Sequence, residues 1–146
     1  MKKAVLVLVL TCLLLLTAFN AFWNVALVRG AEATIYIRDD GSVEGETTKI
    51  ATSDNVTYNF TDDINGSILV ERNNIVIDGA GYTLRGEGGL TEVGIRLSGI
   101  TNVTIRNAQI VNFNVGVYIY DYSSNDTVTG NTLTDNHYAI EIEVSS

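Results

Sequence analysis

Five side chains near the end of this chain have types and spacings that could do chemistry: Arg96, Tyr118, Tyr120, Glu141 and Glu143. Tyr118 and Tyr120 are two positions apart, as are Glu141 and Glu143, so each pair projects from one side of an extended strand. Tyrosine rings cover the apolar C–H patches of a sugar, while carboxylates accept from its hydroxyls, and Arg96 falls beside them in the same pattern. The pattern therefore describes a carbohydrate-binding surface. Glu141 and Glu143 are also the candidate catalytic pair. At i and i+2 on one strand they lie about 7 Å apart, within the ~6.5–9.5 Å that inverting glycoside hydrolysis uses. The sequence shows no cleft wall or third polar group to support that use. Tyrosines that favour strands on a solvent face give the same pattern with no ligand at all.

Other reactive types are sparse. His137 is the single histidine, and beyond Ala33 there is no cysteine and no methionine. No metal-ligating cluster is expected, and no cofactor. His137 reads as a solvent-facing turn residue. Asn55-Val-Thr57, Asn59-Phe-Thr61, Asn65-Gly-Ser67, Asn102-Val-Thr104 and Asn125-Asp-Thr127 are glycosylation sequons. Asn55, Asn59 and Asn65 are the expected sugar acceptors. Asn74, Asn102 and Asn125 share a register, and for these the expectation is a structural ladder of amides bonded along a stack.

That register belongs to a repeat that must position the chemistry. Asn102-Val-Thr-Ile105 lies over Asn125-Asp-Thr-Val128, and the same step of 23 carries Ile110 to Leu133, Gly116 to Ala139, Val117 to Ile140 and Ile119 to Ile142. An earlier copy holds Asn74-Ile-Val-Ile77 and Gly94-Ile-Arg-Leu97, with Gly94 placed 22 residues before Gly116. A fixed period of this length marks a solenoid. Each copy has three short apolar alternations separated by turns, and no window shows helical periodicity. Such strands find partners only in the coils above and below, about 4.8 Å away. The expected fold is all-β, a parallel β-helix of about three coils of 22–28 residues spanning 67–146. Ile75/Ile77, Val103/Ile105, Val117/Ile119 and Ile140/Ile142 point inward. Arg96–Tyr118–Glu141 and Ser98–Tyr120–Glu143 form outward columns, as does the ion pair Asp78–Arg106. Asp126 falls on the inward register of Val103, so either it turns into the bend or its strand starts late.

Residues 34–66 alternate in short strands outside the repeat register and are assigned to an N-terminal β cap. Residues 1–33 are a targeting segment. Lys2-Lys3 precede an apolar run, and Ala31-Glu-Ala33 offers small residues for cleavage, as in a secretory signal peptide. The run 4–28 is also long enough for an uncleaved membrane anchor. Both readings export the rest, to secretion or the cell surface. Cys12, inside the run, reads as apolar filler. The exported part keeps six basic and sixteen acidic side chains. That balance argues against nucleic acid or an anionic membrane face as partner. The chain stops at Ser146 with no capping segment after Ile142, so end-to-end stacking of coils, or a longer natural chain, is expected.

The run Ser67-Ile-Leu-Val-Glu-Arg-Asn-Asn-Ile-Val-Ile-Asp-Gly-Ala-Gly-Tyr-Thr-Leu-Arg-Gly86, with Gly94-Ile-Arg-Leu97 and Asn102-Val-Thr-Ile105, resembles the exported right-handed parallel β-helix proteins of archaea and bacteria. These are grouped with the NosD-like repeat and with carbohydrate-binding and sugar-hydrolase β-helices. Thr34-Ile-Tyr-Ile-Arg38 and Asp40-Gly-Ser-Val43 resemble the lead-ins of archaeal cell-surface members. The repeat serves lyases, hydrolases and surface adhesins alike, so the resemblance fixes a fold more than an activity. It implies a glycan or cell-envelope polysaccharide as partner. The copper delivery associated with NosD requires soft or imidazole ligands, and His137 alone does not supply them. Two functions follow: a non-catalytic cell-surface module that binds or displays glycans, or the N-terminal part of a polysaccharide-degrading enzyme.

Overall fold

The computed structural model describes residues 33–45 and 47–143. The expected signal peptide or anchor lies outside the described residues. Within them the chain is a parallel β-solenoid of about four turns, with no α-helix. Strands run along three faces. Face A stacks β1 (Ala33–Ile37), β5 (Ile64–Val70), β8 (Val93–Ser98), β11 (Val115–Tyr120) and β14 (Tyr138–Ile142). Face B stacks β4 (Thr57–Phe60), β6 (Ile75–Asp78), β9 (Val103–Arg106) and β12 (Thr127–Thr129). Face C stacks β7 (Thr83–Arg85), β10 (Gln109–Val111) and β13 (Thr132–Thr134). β5 rounds a corner, pairing through Ile64–Asn65 with β7 and through Ile68–Val70 with β8. Gly66 makes that bend with φ +146, and a Cβ there would lie 2.0 Å from the Ala33 carbonyl oxygen.

The alternation that marks each strand is what fills the inside. In β9, Val103 and Ile105 are buried while Thr104 and Arg106 face out. Ile75, Ile77, Leu84, Ile95, Leu97, Ile110, Phe113 and Val117 join the same core. Ile105 stands on Ile77 and Val128 on Ile105, so aliphatic packs on aliphatic through these rungs. Ile140 and Ile142 hold the inward register but are 42% and 67% exposed, because no described coil lies on them. Arg106 Nε and Asp78 Oδ2 are 2.8 Å apart across neighbouring rungs, as the register requires.

The segment 34–66 is more than a cap. β1 and β4 run parallel to the coils above and in register with them, so they form a further rung; the repeat therefore begins earlier than the sequence period indicates. The reason is spacing: Ile35 to Ile68 spans a longer loop than any later step, which hides the repeat from a fixed-period comparison. Only the short antiparallel strands β2 (Val43–Glu44, on β1) and β3 (Ile50–Ala51, on β4) depart from the solenoid. The buried Tyr58 ties this end together by donating its hydroxyl to the Gly41 carbonyl at 2.9 Å.

Turns are held by asparagine. Asn74, Asn102 and Asn125 all sit in the left-handed region, at φ 58, 59 and 58, which asparagine tolerates. Asn102 donates its amide to Asn74 Oδ1 at 2.9 Å, so the ladder is formed on that step. A second set was not expected. Asn131 Oδ1 accepts the Ala108 N–H while its Nδ2 donates to the Ile105 carbonyl. Asn136 does the same to Phe113 N–H and the Ile110 carbonyl. These amides stand in for backbone and staple the last described rung to the one beneath.

Asp126 resolves in favour of the bend. β12 begins at Thr127, and Asp126 Oδ1 accepts the Val103 N–H at 2.9 Å. Its Oδ2 is enclosed without a partner, and burial raises its carboxyl above the usual range. A raised folded-state value means that the fold binds the proton more tightly than the unfolded chain does. This favourable difference is complete below the unfolded value of about 3.9 and is lost as pH rises through the folded value. Asp126→Asn should keep the bond to Val103 and raise the melting temperature at neutral pH. The gain should vanish below about pH 4, and a pH series of thermal melts checks this. Gly94 and Gly116 carry a separate constraint: a Cβ on either would come within 2.6 Å of the carbonyl oxygen of Gly116 or Ala139 in the rung above. Gly116→Ala should cost about 1–3 kcal/mol in urea unfolding.

Candidate functional site

The outer side of face A carries the sequence-predicted residues on adjacent strands. Register places Tyr36, Leu69, Arg96, Tyr118 and Glu141 in one column from β1 to β14. Ser98 and Tyr120 form the next, and Glu143 continues it, its N–H bonding to the Ile119 carbonyl. All five predicted residues therefore share one face.

They are not all free to meet a ligand. The rings of Tyr118 and Tyr120 stack on each other, with centroids 4.5 Å apart and planes 14° from parallel. Tyr118 donates its hydroxyl to Glu143 Oε2. That bond to a carboxylate pushes the phenol up to about 12, so it stays protonated. Tyr118 and Glu143 are thus bonded to each other, and Glu143 cannot serve as an unencumbered partner to Glu141. Tyr118 and Tyr120 are half-buried, and Glu141 is exposed.

A concavity lies lower on the same face. A groove of about 410 Å³ is lined by Thr34, Tyr36, Ser67, Leu69, Thr91 and Arg96, with Glu87 and Glu92 at its other wall. That wall is the loop 86–92, between β7 and β8, seven residues long. The corresponding corners after β10 and β13 take three residues each, 112–114 and 135–137. The loop is held by Glu92, only 9% exposed, whose Oε1 accepts the Glu87 N–H at 2.8 Å and whose Oε2 accepts the Gly89 N–H at 2.9 Å. Leu90 at its tip is 89% exposed.

The arginines of this face differ in kind. Arg38 is paired with Glu71 at 3.0 Å and with Glu44, and its guanidinium lies 4.4 Å from the Tyr36 ring centre. Arg96 is half-buried and has no ion pair or hydrogen bond among the described residues. Its register partners are Leu69 below and Tyr118 above.

Leu69, Ser67, Thr34 and the loop 86–92 were not among the residues picked from sequence. The signal was there: Leu84 to Gly94 is four residues longer than Ile110 to Gly116, an insertion confined to one corner. A second hollow, of about 500 Å³, lies on the other side of the loop, lined by Leu90, Asn112, Asn114, Asp135 and His137. His137 is exposed in its turn and packs edge-on against Tyr138, with ring centres 4.4 Å apart. Asn55, Asn59 and Asn65 are all exposed. The side-chain amide of Asn102, by contrast, is engaged with Asn74.

Known proteins add one finding. The model of the family described as "Periplasmic copper-binding protein (NosD)" matches residues 20–146. No curated protein and no solved structure matches the chain. The match reaches well before the repeat seen in sequence and takes in β1 and β4, the rung that the period missed. With a β-solenoid fold and a family match over most of its length, the chain belongs to the NosD family.

Proposed function

We propose that this chain is an exported, non-catalytic cell-surface module that binds or displays glycans on the outer side of face A. One observation carries the reading: Arg96 lines the groove and is also the register neighbour of Tyr118, so concavity and aromatic stack lie on adjacent strands of one face. A polysaccharide laid across the strands would meet ring faces at one end and hydroxyl and guanidinium groups at the other. Export accords with the family's periplasmic description.

The family description also names copper. The described residues do not fit that ion. Copper takes imidazole, thiolate or thioether ligands. Among the described residues His137 is the sole imidazole, and no group of three His, Cys, Asp or Glu converges anywhere. Nothing in the proposed role is routed through a metal. The polysaccharide-degrading alternative is also poorly served, because Glu143 is committed to Tyr118 and neither hollow includes Glu141 or Glu143.

Immobilised cell-envelope polysaccharides test the proposal. The protein should bind at least one without releasing reducing ends. Replacing both tyrosines (Tyr118→Ala with Tyr120→Ala) should weaken that binding about tenfold or more, with a cooperative thermal melt showing that the variant is folded. Unaltered binding in the double variant would sink the platform. Sugar release that Glu141→Gln abolishes would replace it with the enzymatic alternative.

A further inference from the structure

Resting on the glycan-binding reading, we infer that the groove between loop 86–92 and face A is a subsite for a uronate residue of an acidic polysaccharide, with Arg96 holding its carboxylate. Three observations meet there. The first is the charge of Arg96. A guanidinium stays protonated at any physiological pH and presents a planar fork of donors that matches a carboxylate two bonds at a time. Arg38 and Arg106 spend theirs on Glu71 and Asp78, and Arg72 donates to the backbone carbonyls of Asn55 and Asp39. Arg85 is exposed at the end of β7 on face C. Arg96 alone is half-buried, faces a groove, and has no partner among the described residues.

The second is the disposition of the nearby acids. In a chain with a formal charge of −8 an anion subsite needs local relief. Glu92 keeps its charge but directs its oxygens to the N–H groups of Glu87 and Gly89, so it does not pair with Arg96. Glu87 stands at the opposite rim and has an interaction of its own.

The third is the lining. Thr34, Ser67 and Thr91 bring hydroxyls, and Leu69 and Val93 bring apolar surface. A sugar ring that carries a carboxylate needs this combination: donors and acceptors for its hydroxyls, an apolar floor for its C–H face, and one cation. The volume, about 410 Å³, falls in the roughly 300–1,000 Å³ range of small-molecule sites. Arg96 is the register neighbour of Tyr118 on the next strand, so a chain leaving the subsite along this column reaches the stacked rings.

The test uses the whole protein with a short oligomannuronate, the same oligosaccharide with its carboxyls methyl-esterified, and a neutral mannan oligosaccharide, followed by calorimetry. The acid form should bind about tenfold to a hundredfold more tightly than the ester, and added salt should narrow the gap. Arg96→Gln should erase the preference, and Arg96→Lys, a point charge without the fork, should restore part of it. Thermal melts of each variant establish that the fold is intact. Equal affinity for acid and ester, or an Arg96→Gln variant that keeps the preference, overturns the uronate subsite. If neutral oligosaccharides still bind through Tyr120 in that case, the platform stands without it. Failure to bind any of the three, acid or neutral, overturns the uronate subsite, and binding to no polysaccharide at all removes both readings.

Discussion

Every strand of the solenoid obtains backbone partners from the coil above or below, about 4.8 Å away. That spacing governs the rest. It forces side chains of successive rungs into columns, so Ile77, Ile105 and Val128 must tolerate one another, and Thr104 must tolerate Thr127. It leaves no room for a Cβ at Gly94 or Gly116, where the next carbonyl stands in the way. The same closeness lets the Asn131 and Asn136 amides reach the backbone of the coil beneath and replace hydrogen bonds that the turns would otherwise lack. Stability is accordingly local: each rung depends on its neighbours, and a fault such as the enclosed oxygen of Asp126 bears on one step of the stack.

Strands under such a constraint have little freedom to diversify, whereas turns have a great deal. An insertion at a corner disturbs no ladder and leaves the core registers of the next coil unchanged. Loop 86–92 lengthens one step and still delivers Ile95 onto Ile68. What the extra residues create is a wall beside an otherwise flat face. Glu92 gives that wall a defined position, since its carboxylate satisfies two N–H groups that no strand would reach. The combination of a rigid floor and one latched corner is how a solenoid with shallow faces acquires a concavity.

The period made the fold legible. Repeating asparagines and inward aliphatics fixed the three faces, the buried set and the outward columns, because alternation and rung spacing translate directly into direction. The first rung was hidden, since the long passage from Ile35 to Ile68 breaks the period although the pairing of β1 with β5 is regular. The candidate site was legible only as a list. Register placed Arg96, Tyr118 and Glu141 together, but it could not show that Tyr118 would bond Glu143 or that its ring would lie against Tyr120. Those outcomes depend on rotamers, and rotamers depend on neighbours the sequence does not order. The groove was missed for a related reason: a longer step between coils reveals an insertion but not the side of the face on which it folds.

The state of Tyr118 bears on which part of the face has chemistry to offer. Its hydroxyl is already bonded, and one face of its ring is already covered by Tyr120. Forming those contacts within the protein fixes the stack before any ligand arrives, which lowers the ordering cost of binding but removes polar specificity from the tyrosines. A pre-ordered aromatic surface of this kind distinguishes poorly among sugars, because most present a C–H face. Discrimination must then come from a group that the protein has left unsatisfied. In the proposed subsite the half-buried guanidinium of Arg96 is that group: it is adjacent to the stack in register and lies where the inserted loop makes the surface concave. On the proposed glycan reading, affinity and selectivity fall to neighbouring rungs of a single column.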